Sequence, residues 1–122
     1  MAIRLKRIYD EPANDDGYRA LIDRLWPRGV SRQEAVIDVW LKDIAPSAQL
    51  RQWFDHQPER FKEFAVRYQA ELDANPVAER LKGLVQQQPI ITLLYAAKDS
   101  KTNHAIVLRD YLSRFDGQNP VK

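Results

Sequence analysis

Apolar residues along the chain fall into short runs and helical stripes separated by polar turns. Ile3 to Tyr9 predicts a first strand, closed by the polar stretch Asp10 to Gly17. Arg19 to Leu25 predicts a second: Ala20, Ile22 and Arg24 share one face, Leu21, Asp23 and Leu25 the other, and Trp26-Pro27 stops it. Apolar residues on both faces call for cover on both, which implies helices on both sides of the sheet. Ser31-Arg32-Gln33-Glu34 has the form of a capping box that opens a turn of helix, and Val36 to Leu41 follows as an edge-like strand.

Ser47 precedes Leu50, Trp53 and Phe54 at helical spacing and fits an N-cap. Pro58 suits a first helical position, and Phe61, Phe64, Ala65, Tyr68 and Leu72 make an apolar stripe. Asn75-Pro76 repeats the start signal for a helix carrying Val77, Leu81, Leu84 and Val85, which ends before Gln86-Gln87-Gln88-Pro89. Ile90 to Tyr95 is nearly all apolar, as a central parallel strand requires. A closing helix runs from Asn103 to Phe115, stopped by Asp116-Gly117, and Gln118 to Lys122 reads as a frayed tail. The expected architecture is a single-domain, three-layer α/β fold: a small, mostly parallel sheet of about four strands covered by helices.

Composition narrows the chemistry. The 122 residues suffice for one core. With no cysteine, disulfides, thiolate nucleophiles and cysteine-ligated metals are excluded. No apolar run approaches the length of a membrane span and the N-terminus lacks a signal-peptide pattern, so a cytoplasmic protein with no membrane partner is expected. A formal net charge of +2 is too balanced for a nucleic-acid signature, which leaves nucleic acid a possible partner and not the favoured one.

In open parallel sheets ligands gather beyond the carboxyl ends of the strands, which directs attention to Tyr9-Asp10, Asp23 to Arg28 and Tyr95 to Lys98. There Arg24 and Arg28 read as a clamp for a small anion, plausibly nucleotide-like, with Trp26 as a stacking platform and Lys98 and Asn103 as further polar contacts. Asp23 and His104 are candidate acid-base groups, and Tyr95 can donate to an oxyanion or orient a base, should the protein act on its ligand. Each has a structural counterpart: Arg24 pairing with Asp23, Asp43 or Asp10, Arg28 as a solvated loop charge, Trp26 and Tyr95 in the core, and the arginine-aspartate block as a network that only stabilises the fold. Ser47 fits a cap better than a nucleophile, because no Gly-x-Ser-x-Gly elbow surrounds it. His56 and His104 with Asp10, Asp23 or Asp43 are weighed as metal ligands and set aside, and no cofactor is indicated. Asp10, Asp15 and Asp16 read as a solvated acidic turn in preference to a magnesium site. The competing class is a regulatory or nucleic-acid- or protein-binding module that uses Trp26, Trp40 and Trp53.

The run Asp16-Gly17-Tyr18-Arg19, continuing to Asp23-Arg24-Leu25-Trp26-Pro27-Arg28-Gly29, resembles a known family, as do Ala45-Pro46-Ser47, Leu93-Leu94-Tyr95-Ala96-Ala97-Lys98 and Asn103-His104-Ala105. Over nearly its whole length the chain resembles the YeaO-like branch of the family called domain of unknown function 488. The resemblance implies a small cytoplasmic α/β domain and carries no reaction, cofactor or partner with it. A sister branch places a cysteine near the position of Tyr95 and a Cys-His-Arg group near Asn103-His104. This chain has neither cysteine, so thiol chemistry does not transfer.

Overall fold

The computed structural model describes residues 2–114. The expected helix stop at Asp116-Gly117 and the tail from Gln118 lie outside them. Four strands, β1 (Ala2–Arg7), β2 (Tyr18–Leu21), β3 (Val39–Trp40) and β4 (Ile90–Tyr95), form one sheet in the order β1-β4-β2-β3 with every pairing parallel. The helices are α1 (Arg32–Ala35), α2 (Ala48–Phe54), α3 (Phe61–Asp73), α4 (Pro76–Gln87) and α5 (His104–Ser113). None is long and apolar enough to cross a membrane.

β4 has the predicted limits and an inner position. Its register sets Leu93 beside Leu5 and Ala20, so side chains alternate in step across the sheet. On one face Ala20, Ile91 and Leu93 join the buried sides of α2, α3, α4 and α5 in the main core. On the other, Leu21 and Leu94 meet Ile8 and Ala35 in a small cluster edged by Trp26, Val30 and Trp40. All the long helices therefore lie on one side. The third layer is thinner than expected, made of irregular chain with a 3-10 turn at Asn14–Asp16 and the four-residue α1.

Polar bonding explains where the strands stop short of their apolar runs. Ile8 still donates to the Tyr95 carbonyl at 2.8 Å, but Asp10 N–H turns back to Arg7, closing the chain before Tyr9. Ile22 donates to Leu94 at 3.0 Å, whereas Asp23 meets the chain leaving β4 through its side chain, whose Oδ2 accepts from Ala96 N–H at 2.9 Å. The third strand shrinks to two residues because Val36 adopts a left-handed conformation (φ 47°) at the end of α1. That conformation aims the Val36 carbonyl at the buried Arg19, whose Nε donates to it at 2.6 Å.

Arg19 corrects the reading of the acidic loop. Asp10 and Asp15 are exposed, but Asp16 is buried and ion-paired with Arg19, and Lys6 donates to its Oδ1 at 2.9 Å. Gly17 beside it is held at φ 66°, ψ −134°, outside the range of L-residues. A Cβ there would strike the Ile90 carbonyl and lie 2.7 Å from Ile90 Cβ. Gly17→Ala is expected to lower the unfolding free energy by about 2–4 kcal/mol, measured by urea denaturation, because strain and a backbone clash add.

The predicted caps are present. Ser47 accepts from Leu50 N–H at 3.2 Å and donates to Glu71 Oε2 at 2.6 Å, Asn75 caps α4 through Val77 N–H, and Asn103 caps α5 through Ile106 N–H. Pro58–Arg60 forms a 3-10 turn that leads into α3.

Candidate functional site

β4 and β2 are neighbours, yet the chain leaving β4 leads to α5 over the main core and the chain leaving β2 leads to α1 on the opposite face. Adjacent parallel strands whose exits part in this way leave a crevice between their carboxyl ends. A pocket of about 360 Å³ occupies it, walled by residues 23 and 25–28 after β2, by the segment from Ala45 to His56, and by Ala96 to His104 after β4.

The inner wall is apolar. Phe54 and Phe64 stack with ring centroids 4.4 Å apart, and Pro27, Pro46, Ala96 and Ala97 continue the surface. Asp23 and His104 face each other within it, Oδ1 and Nε2 lying 3.0 Å apart. Both atoms are buried, and neither is aligned for a hydrogen bond with the other or with any other described residue. The pair is an electrostatic contact without a formed hydrogen bond. The Ala96 N–H fixes the other carboxylate oxygen, so Asp23 ties the two strand exits together. Its backbone carbonyl accepts from the Trp40 indole at 2.7 Å.

Cationic groups line the outer part. Arg28 and Arg51 are exposed, and neither guanidinium has a hydrogen-bond or ion-pair partner among the described residues. His56 stands nearby in a left-handed conformation (φ 52°), directly after Asp55 in the same region (φ 47°). Two consecutive non-glycine residues there are a strained turn that presents the imidazole at the pocket. Asp99 also lines the pocket, exposed, with its carboxylate committed to Thr102 Oγ1 and to the Lys101 and Thr102 amides. Those donors hold its carboxyl below the usual aspartate range, the Thr102 hydroxyl contributing most.

Of the residues singled out from sequence, Asp23, Trp26, Arg28, Asn103 and His104 come together here. Asn103 is buried and its amide is occupied, Oδ1 by Ile106 N–H and Nδ2 by the Asp99 carbonyl at 2.7 Å, so it shapes the wall. Trp26 lines the pocket while its indole donates to Val30 at 2.6 Å and Arg32 covers its ring at 4.1 Å. Arg24, Tyr95 and Lys98 are not among the lining residues. Arg24 reaches the Ala45 and Pro46 carbonyls at 3.5 and 3.4 Å and Asp43 at 3.7 Å, bracing the wall from behind. Tyr95 is buried in the main core and Lys98 is exposed.

Arg51 was not legible from the sequence. It lies on the outer face of α2, and only the packing of α2 beside the β2 exit brings it to the pocket.

The match to known proteins spans this whole arrangement. A family model described as "Inactive DUF488-N3 subclade" matches residues 2–119. The chain belongs to that family. The uncharacterised protein YeaO of Escherichia coli is 43% identical over 113 residues, covering 92% of this chain and 97% of the relative. An uncharacterised protein of Mycobacterium tuberculosis is 40% identical over 111 residues, covering 91% and 93%. No solved structure matches the chain.

Proposed function

We propose that this chain is a cytoplasmic module that binds a small anionic ligand with a flat, apolar body in the crevice between β2 and β4, and that it binds without turnover. The observation that carries this reading is the pairing of two unpartnered arginines, Arg28 and Arg51, with an apolar aromatic wall in one pocket at the switch point of a parallel sheet. Exposed cations held by no carboxylate of their own chain are free to take an external anion. The subclade's description as inactive supports binding over catalysis.

The alternative, a macromolecular surface built on the tryptophans, has less support. Trp26 and Trp40 pack edge to face at 5.3 Å under Arg32, and Trp53 carries Arg67 at 4.3 Å, so their faces are already engaged. A thermal-shift panel of nucleotides, sugar phosphates, aromatic carboxylates and short oligonucleotides separates the two. A small anion is expected to raise Tm with a saturable dose response. If only oligonucleotides shift Tm, and with a steep loss on adding salt, the macromolecular reading replaces this one.

A further inference from the structure

Resting on that reading, we propose that the pocket is polar in a directional sense and recognises a nucleoside monophosphate: phosphate outward at Arg28 and Arg51, nitrogen heterocycle inward at Asp23 and His104. Charge sets the direction. The inner end holds the Asp23 carboxylate, which repels an anion, while both unpartnered guanidinium groups lie at the outer part, where the one carboxylate, Asp99, is already held by Thr102 and Lys101.

The inner end also has bonding capacity left unmet. Asp23 Oδ1 faces His104 Nε2 at 3.0 Å without an aligned hydrogen bond, so neither group satisfies the other. His104 Nδ1 also has no partner among the described residues, and Asp23 Oδ2 has a further lone pair beside its bond from Ala96. A carboxylate and an imidazole set in an apolar wall call for ring nitrogens and N–H groups on a flat body, which a nitrogen heterocycle supplies and a benzene ring does not. A sugar phosphate brings hydroxyl donors but no flat apolar face to cover Phe54, Phe64 and Pro46. The volume of about 360 Å³ is near the lower end for ligand pockets, which suits a ligand of about mononucleotide size.

Titration calorimetry at fixed ionic strength with the four common ribonucleoside monophosphates, phenyl phosphate and ribose 5-phosphate tests this. At least one nucleotide is expected to bind about tenfold or more tighter than either control. His104→Ala, and separately the milder Asp23→Asn, are expected to remove that preference while leaving phenyl phosphate affinity within about threefold, with unchanged circular dichroism confirming the fold. If phenyl phosphate equals the best nucleotide, or the preference survives both variants, the inward heterocycle is wrong and the anion site stands. If none of the six compounds binds, the anion site falls with it.

Discussion

Asp16→Ala lowers the unfolding free energy by about 3–5 kcal/mol, the range for removing one partner of a buried ion pair. Asp16 and Arg19 are 3% and 4% exposed, so neither charge can turn to water when its partner goes. The carboxylate holds together the layer opposite the long helices: it pairs with Arg19, accepts from Lys6 at 2.9 and 3.1 Å and from Ala13 N–H at 2.9 Å, while the Asp16 carbonyl accepts from Thr92 Oγ1 at 2.6 Å. Without it the Arg19 guanidinium keeps only the Val36 and Ala35 carbonyls. The exposed Arg4–Asp15 pair alongside contributes little.

The same carboxylate makes stability depend on acid. Burial alone would raise its pKa, but the hydrogen bonds from Lys6, Ala13 and Arg19 outweigh that and hold it below the ordinary aspartate value. A carboxyl whose folded pKa is depressed contributes fully above its unfolded pKa of about 4 and loses the contribution as pH falls through the folded value. Urea midpoints of wild type and Asp16→Ala, measured from pH 7 downward, are therefore expected to differ most near neutrality and to converge below about pH 4. A gap independent of pH would place the loss in packing.

The double substitution Arg28→Ala and Arg51→Ala weakens binding of the anion found in the thermal-shift panel by about 30–100-fold, while folding stability changes by no more than about 0.5 kcal/mol. The first figure follows from losing two charge-assisted contacts, reduced for exposure. The second follows from the guanidinium groups having no partner to lose, since the bond joining Tyr9 to Arg28 uses the Arg28 backbone carbonyl. A substantial stability loss with binding intact would make these arginines structural. Calorimetry and chemical denaturation on one preparation distinguish the outcomes.

Hydrophobic pattern sufficed for α3 and α4, whose apolar residues repeat at helical spacing, and for β4, whose apolar run is continuous. It overextended β2 and β3, because those strands are ended by bonds between residues distant in sequence, Asp23 to Ala96 and Arg19 to Val36 and Asp38. Asp16 looked like its neighbours Asp10 and Asp15, and only the arrival of Lys6 and Arg19 from two different strands makes it a core residue. Within the site, residues beyond strand ends were legible from the rule for parallel sheets, which pointed to Asp23, Trp26 and Arg28, while His104 was picked out by its chemistry. The rule does not say which way a side chain turns, so Arg24 and Lys98 were grouped with them. It is also silent on helices passing the crevice, which supply Arg51, Phe54 and Phe64.

The small anion is proposed to bind between the exits of β2 and β4. Mapping amide and indole chemical shifts of labelled protein during titration with the anion that gives the largest thermal shift tests it most directly. Saturable shifts centred on Ala96, Ala97, His104 and the Trp26 indole are expected, with Trp53 and Arg67 unmoved. Shifts centred on Trp53 and Arg67, or scattered over the surface without saturation, would contradict binding at this place.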